Sequence, residues 1–308
     1  MTEEIFDIAI IGGGPAGFTS GIYAGRSGLK TVILEKQMVG GQVAVSPLIE
    51  NWPGEKEISG QDLTMKFREH VEPYAEIREF SEVTDIKRDD HFIISTTEGN
   101  IRSKMVLLAT GADHRRLGVP GEDRLSGKGI SYCATCDGFF FKEKDTMVIG
   151  GGSTALLYAI YLNNIDCNVK LVHRRDQFRG EKALQDQVRE LDVELLLDSV
   201  VEEFIGDDQL EKVRIRNVKT GEEADISAAG AFIAIGEFPQ NATAKMLGVK
   251  LDDEGYVEVD GSMRTSVPGV LAAGDVTGGL KQIVVAAGEG ALAATSAFED
   301  LMEPYWME

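Results

Sequence analysis

Cysteine is scarce, with three residues in a chain of 308. That excludes a secreted, disulfide-stapled scaffold, which needs a dense cysteine framework. A structural zinc site is also poorly provided for. It needs four ligands, yet there is no second C-x-x-C, and His70, His91, His114, His173 and Cys167 are scattered with no zinc-motif spacing among them. Positive charge is in deficit: 31 Lys and Arg stand against 51 Asp and Glu, a formal net charge of −20. A nucleic-acid partner would call for a basic footprint, and an anionic membrane would repel such a chain. No apolar run approaches the length that crosses a bilayer. The opening Met1-Thr2-Glu3-Glu4 is acidic and lacks a signal-peptide pattern, so the expectation is a cytosolic protein. What remains is a globular composition, long enough for two domains of ordinary size.

Glycine, by contrast, is plentiful and placed. In "FDIAIIGGGPAG" a short apolar run, Ile8 to Ile11, leads into Gly12, Gly14 and Gly17. A helix-periodic stretch with Phe18, Ile22 and Tyr23 follows, and "TVILEK" supplies a second strand ending at Glu35. By itself a G-x-G-x-x-G is only a tight turn. Here strand, turn, helix, strand and terminal acid stand in the order of a dinucleotide-binding βαβ unit. The first glycine makes the turn, the second lets a pyrophosphate approach the backbone, and the third lets helix and strand pack. The phosphates then meet unpaired N–H groups at the helix start, and Glu35 is placed to accept a bond from a ribose hydroxyl.

"DTMVIGGGSTALLYAIYL" repeats the pattern with Gly150, Gly152 and Ala155, and "NVKLV" is its second strand. The interval from Gly12 to Glu35 equals that from Gly150 to His173, so the two units are in register. In the second, the acid gives way to His173-Arg174-Arg175 within "HRRDQFR". A carboxylate there would repel a 2′-phosphate, whereas guanidinium groups clamp one through charge-assisted bonds. The second site therefore suits NADP(H), and the first suits a dinucleotide with a free 2′-hydroxyl such as FAD or NAD. A third element, "SVPGVLAAGDV", carries a strand over Val270 to Ala273 with Asp275 just past its end. That aspartate reads either as a ligand-side group at a strand end or as a helix cap. A helix rich in small residues follows, starting near Lys281 and Gln282.

Between the fingerprints, "EVTDIKRDDHFIISTTEGN" and "KMVLLATGA" read as a β-meander returning to a strand at Met105 to Ala109. "RRLGVPGE" (115–122) and "IGEFPQN" (235–241) read as linkers. The second unit is thus inserted into the first, with two chain crossings that permit a hinge. In "SYCATCDGFF" Cys133 and Cys136 are two residues apart with Asp137 next. A zinc site fails on ligand count, and a staple would close too short a loop and tend to be reduced in the cytosol. A redox pair fits the spacing, which lowers one thiol's pKa, and it fits the two dinucleotide turns alongside.

In order and spacing, "GGGPAG", "GGQ" (40–42), "ENWPG" (50–54), "ATGA" (109–112), "CATCDG" (133–138), "GGGSTA", "HRRDQFR" and "AAGDV" (272–276) make the chain resemble the low-molecular-weight thioredoxin reductases over essentially its whole length. The resemblance implies an α/β fold of two Rossmann-like, three-layer dinucleotide-binding domains. An FAD domain of 1–113 and 244–308 would be interrupted by an NADPH domain of 114–243 that carries the C-x-x-C. It implies a homodimer and a thioredoxin or thioredoxin-like disulfide as partner. The FAD side would use Gly12, Gly14, Pro15, Ala16, Gly17, Glu35, Gly41, Gln42, Asn51, Val83, Thr110, Gly111, Asp275, Gln282 and Ile283. The NADPH side would use Gly150, Gly152, Ser153, Thr154, Ala155, His173, Arg174, Arg175 and Arg179. No metal is implied.

The implied reaction runs from NADPH to FAD, from FAD to the Cys133–Cys136 disulfide, and from that dithiol to the disulfide of thioredoxin, with domain rotation between steps. Cys136 would face the flavin, Cys133 would attack the partner, and Asp137 would move the proton. Asp137 also reads, more simply, as a turn-capping residue before Gly138, and Trp52 as a core anchor beside the Pro53-Gly54 turn. The chain departs from the family at Leu157 and Tyr158, where an acidic pair is common, and at Lys281, where arginine is common; both places bear on how NADPH is used. Other readings of the same residues are a reductase of another thioredoxin-like or peroxidase-linked protein, a ferredoxin–NADP reductase, which needs no dithiol, and a flavin/NADP(H) sensor without turnover. No thioredoxin-like extension precedes the first strand, so such a domain is expected on a separate chain.

Overall fold

A computed structural model of the chain describes residues 5–46 and 48–303; the acidic opening, residues 1–4, lies outside them. The chain forms two compact units, one from the chain up to Asp113 together with the chain from Phe238 onward, the other from His114–Glu237. The return crossing therefore falls earlier than the expected 243/244. Gln240 and Asn241 already belong to the first unit, through Gln240 N to the Gly111 carbonyl at 2.9 Å and Asn241 Nδ2 to the Gly255 carbonyl at 2.7 Å.

Before the insert come β1 (Ile5–Ile11), α1 (Pro15–Arg26), β2 (Thr31–Leu34), α2 (Gly60–Val71), β3 (Glu76–Arg78), β4 (Val83–Arg88), β5 (Phe92–Thr96), β6 (Gly99–Leu108) and β7 (Ala112–His114). The insert holds α3 (Glu122–Leu125), β8 (Ile130–Ser131), α4 (Ala134–Asp137), β9 (Asp145–Gly150), α5 (Ser153–Asn164), β10 (Asn168–Val172) and α6 (Lys182–Glu190). It continues with β11 (Val193–Leu196), β12 (Ser199–Ile205), β13 (Lys212–Asn217), β14 (Glu223–Ser227) and β15 (Gly230–Ala234). After it come β16 (Glu237–Pro239), α7 (Ala242–Met246), β17 (Val270–Ala272) and α8 (Ile283–Met302).

In the first unit β3, β2, β1, β6 and β17 run parallel in that order. From Ile8 to Ile11 alternate residues of β1 serve opposite faces: Ile8 and Ile10 pack with Phe18, Ile33 and Ala293, while Ala9 and Ile11 pack with Val32, Val106 and Val276. Such double burial is what a parallel sheet covered on both sides demands. The expected strand at Met105 is longer than its apolar stretch suggests. β6 pairs antiparallel with β5 over Gly99–Ser103 and then parallel with β17 over Val106–Leu108. One strand thus belongs to both the meander and the parallel sheet.

The insert repeats the plan. β11, β10, β9, β15 and β8 are parallel in that order, and β12, β13 and β14 form a separate antiparallel sheet. In both units the order reverses beside the strand that carries the glycines, between β1 and β6 and between β9 and β15. A crevice at the carboxyl ends of strands opens at such a switch point. The two crossings, β7 and β16, pair with each other as a two-stranded ribbon. Among the described residues no helix is long and apolar enough to cross a membrane.

Candidate active site

The first glycine turn is fixed by close packing. Gly12 sits at φ 115°, a region that disfavours side chains, and a Cβ there would overlap the Ala109 carbonyl at the end of β6. A Cβ at Gly17 would overlap the Gly12 carbonyl, so α1 lies directly on the turn. Gly14 differs: among the described residues nothing lies within 4 Å of where its Cβ would stand. Pro15 opens α1, Ala16 is buried behind it, and no side chain caps the helix. The helix therefore presents N–H groups toward open space. Glu35, just past β2, accepts the Gly13 amide at 2.9 Å and the Gln37 amide at 3.0 Å, so its carboxylate is held at the rim of the turn.

The other expected first-unit residues are gathered by longer links. Gly41 and Gln42 lie in a 3₁₀ turn, Gly41–Val43, and a Cβ at Gly41 would be 3.6 Å from Gly14. Gln42 Nε2 donates to Asp113 Oδ1 at 2.6 Å, and Gln240 Nε2 donates to the other oxygen, Oδ2, at 2.5 Å. Thr110 and Gly111 follow β6 directly, and the Thr110 hydroxyl donates to the Gln240 carbonyl at 2.6 Å. Asn51 Nδ2 donates to Gln282 Oε1 at 3.0 Å, tying the "ENWPG" turn to the start of α8, where Gln282 is the N-cap residue and Ile283 the first helical one. Trp52 is half-buried and meets Phe67 edge-on at 5.2 Å, an anchor in a small satellite core. Asp275 opens a 3₁₀ turn after β17, and Val83 opens β4 opposite Thr96.

Three residues here escaped the sequence reading. Asp113 is the acceptor shared by Gln42 and Gln240. Gln240 joins the two chain segments of this unit. Glu289, on α8, accepts the Gly274 amide at 2.7 Å and the Thr277 hydroxyl at 3.3 Å, which sets the turn that displays Asp275. Nothing local signals any of them, because each partner is distant in sequence.

The second turn is built alike. A Cβ at Gly150 would overlap the Ala234 carbonyl of β15, Gly152 has open space within 4 Å of its Cβ position, and Ala155 is fully buried. Ser153 and Thr154 begin α5, again without a side-chain cap. The Ser153 hydroxyl accepts the Glu181 amide at 3.1 Å. The basic loop folds back over this turn: the Arg179 amide donates to the Gly151 carbonyl at 2.7 Å. Arg174, Arg175 and Arg179 are exposed, while Phe178 is buried beneath them. Lys219 braces the loop from below, 3.2 Å from Asp176 and 2.9 Å from Asp198. His173 does not join the guanidinium groups at the surface. Its ring is buried, stacks on Phe178 at 5.4 Å and has Nε2 3.1 Å from the Gln177 carbonyl. Burial, with the Arg175, Arg174 and Arg179 charges adding to it, holds the imidazole below its ordinary pKa.

Cys133 and Cys136 form a disulfide in the insert, Cys133 preceding the single-turn helix α4. A fourth residue missed in sequence, Ser131, organises this turn. Its hydroxyl accepts the Cys133 amide at 3.0 Å and donates to Asp137 Oδ2 at 2.6 Å. The second carboxyl oxygen of Asp137, Oδ1, is buried and has no hydrogen-bond partner among the described residues. Burial raises the Asp137 pKa above the usual carboxylate range, opposed by the Ser131 bond, which favours the charged form. Behind the pair, a Cβ at Gly138 would press on Leu162 and Tyr161 of α5, so the turn rests on that helix. Tyr158 donates from its hydroxyl to the Tyr132 carbonyl at 3.0 Å, and Leu157 is exposed. Lys281 Nζ lies 4.9 Å from the Tyr256 ring centroid. Cys167 is a buried free thiol facing the Phe141 carbonyl at 3.1 Å.

Two redox-type features, a disulfide with a buried acid and two open glycine cradles, thus occur in one chain. The family model for pyridine nucleotide-disulphide oxidoreductases matches residues 6–290. The thioredoxin reductase of Listeria monocytogenes is 38% identical over 299 residues, 96% of this chain and 93% of that protein. A 34.2 kDa protein of the rubredoxin operon of Clostridium pasteurianum is 39% identical, over 96% of this chain and 97% of its own. Among solved structures, thioredoxin reductase from Streptococcus pyogenes superposes with a TM-score of 0.92 at 42% identity, covering 98% of this chain and 99% of that one. The enzyme from Giardia duodenalis gives 0.90 at 35% identity, covering 97% and 100%. The chain belongs to the pyridine nucleotide-disulphide oxidoreductase family.

Proposed function

We infer that this chain is an NADPH-dependent thioredoxin reductase. The observation that carries the reading is the disulfide-bonded Cys133–Cys136 turn, seated with a buried Asp137 in the second of two units of like topology. FAD and NADPH are the cofactors of this family. The residues present fit both: the empty space over Gly14 and over Gly152, facing uncapped helix starts, is the shape a pyrophosphate fills. Bound there, FAD and NADPH would supply hydride transfer from the nicotinamide and its onward passage as an electron pair to the disulfide.

In this reading Gly12, Gly14, Pro15, Ala16 and Gly17 hold the flavin pyrophosphate and Glu35 orients its ribose. Gly41, Gln42, Asn51, Val83, Thr110, Gly111, Asp275, Gln282 and Ile283 line the remainder. Gly150, Gly152, Ser153, Thr154 and Ala155 hold the NADPH pyrophosphate. Arg174, Arg175 and Arg179 take the 2′-phosphate, and neutral His173 shapes their loop from inside. The Cys133 thiolate attacks one sulfur of the partner disulfide, giving a mixed disulfide and a partner thiolate. Cys136 then attacks Cys133 Sγ, restoring the internal disulfide and releasing the second partner thiolate. Asp137 takes a proton from the attacking thiol or gives one to the departing thiolate. One pair of sulfurs must serve both a flavin and a bulky protein, so we assign a hinge to the two crossings, β7 and β16. A homodimer and a cytosolic setting, where thiols are kept reduced, complete the reading.

The test of function is NADPH oxidation by the flavin-loaded protein. It should proceed when oxidised thioredoxin is supplied, and Cys136→Ser should lose it while ferricyanide reduction persists. Absence of thioredoxin-dependent oxidation in the wild type overturns the assignment. For the phosphate clamp, Arg174→Ala with Arg175→Ala should raise KM for NADPH by about tenfold or more, the scale of lost charge-assisted bonds. KM for NADH should change little, and equal effects on both would remove the 2′-phosphate role.

Asp137 makes a prediction about pH. Its folded pKa lies above the unfolded value, so the stability it contributes is present at low pH and lost as pH rises through the folded pKa. Asp137→Asn should therefore gain thermal stability over the wild type, by a margin that widens as pH rises above the ordinary carboxylate value of 3.8. The same variant should lose about a hundredfold in thioredoxin reduction, the lower end of what a general acid–base group contributes. A stability margin that shrinks with rising pH would contradict this.

A further inference from the structure

The first chain crossing ends at His114, and this side chain joins three separate pieces of the insert. Its ring stacks on Tyr132, with centroids 5.0 Å apart and planes 14° from parallel. Its Nδ1 is 3.2 Å from Glu237 Oε1, at the start of the return crossing. Tyr132 immediately precedes Cys133. The crossings are themselves joined beside His114, where the Arg115 amide donates to the Gly236 carbonyl at 2.9 Å.

The far end of Tyr132 is held too. Its hydroxyl donates to Glu122 Oε1 at 2.8 Å, and its carbonyl accepts the Tyr158 hydroxyl. Burial, then the Glu122 carboxylate, raise the phenol pKa, so the hydroxyl stays a donor. Glu122 is buried and also accepts the amides of Leu117 at 3.1 Å and Gly118 at 2.7 Å, in the connection that follows the crossing. The phenol end of Tyr132 is therefore fastened to that connection and its ring face to His114. One peptide bond further on, Cys133 inherits that placement, and Ser131 passes it to Asp137.

We propose that His114 is a positioning residue for the redox pair: its stack on Tyr132, backed by Glu237, fastens the segment carrying Cys133 to the two crossing strands, so that dithiol and hinge move as one piece. The role in turnover rests on the thioredoxin reductase reading, whereas the fastening is a property of the fold alone. His114 acts on the pair through Tyr132. Its loss changes how firmly they are presented and leaves the nucleotide turns alone.

Two variants of the flavin-loaded protein separate the stack from the contact with Glu237. His114→Ala removes both, and His114→Phe keeps a ring over Tyr132 without the pairing to Glu237. In hydrogen-exchange measurements His114→Ala should speed exchange of the amides in 131–137 by about fivefold, the size expected of one aromatic pair. The kcat with thioredoxin should fall by a similar factor, while KM for NADPH and the rate with ferricyanide hold. His114→Phe should restore both the protection and kcat. Unchanged exchange in His114→Ala, an equal loss in His114→Phe, or a parallel fall in the ferricyanide rate would each overturn the proposal. If exchange responds as expected but the wild type reduces no thioredoxin, the fastening stands and the functional reading falls.

Discussion

Everything in this chain is arranged around a turn that has no room for a side chain on its inside and leaves room for a ligand on its outside. At the end of β1 the backbone passes so close to the Ala109 carbonyl that Gly12 admits no Cβ, and at the end of β9 Gly150 stands in the same relation to Ala234. That contact between neighbouring strands drives the helix start toward the crevice where the strand order reverses. At Gly14 and Gly152 the missing Cβ leaves open space in front of uncapped amides. The helices, the doubly buried sheets and the strand order are the means by which the chain holds two such turns rigid.

The two units diverge in charge where their topology agrees. Glu35 braces the first turn through the Gly13 and Gln37 amides, whereas the second presents three exposed guanidinium groups supported by a buried, neutral His173. In a molecule of strongly negative net charge, these guanidinium groups form a local positive patch. The dithiol turn follows a third rule. Its acid is buried, and burial raises its pKa above the usual carboxylate range, opposed by the Ser131 hydroxyl bonded to Oδ2.

The parts legible in the sequence were those set by short-range constraint. Both glycine turns, the helices after them, the strands at Ile8, Val148 and Leu171, the meander and the insertion could be read, because periodicity and glycine spacing act within a few residues. Boundaries were less legible. β6 extends back to Gly99 because its early residues pair with β5, and the insert ends at Glu237 because Gln240 bonds to Gly111. The sheet of β12, β13 and β14 left no distinctive sequence signal. Ser131, Asp113, Gln240 and Glu289 act on partners brought near by the fold, so no local pattern betrays them. His173 shows the opposite case: the motif was recognisable, but only packing reveals that its ring turns inward onto Phe178.

The proposed reaction depends on electrons from the nicotinamide reaching the Cys133–Cys136 disulfide. It is tested most directly by counting free thiols in the flavin-loaded protein, denatured under anaerobic conditions after mixing with NADPH alone. Two new thiols per chain, alkylated at Cys133 and Cys136 and absent when NADPH is withheld, are the predicted result. Consumption of NADPH with the disulfide still intact would contradict the account.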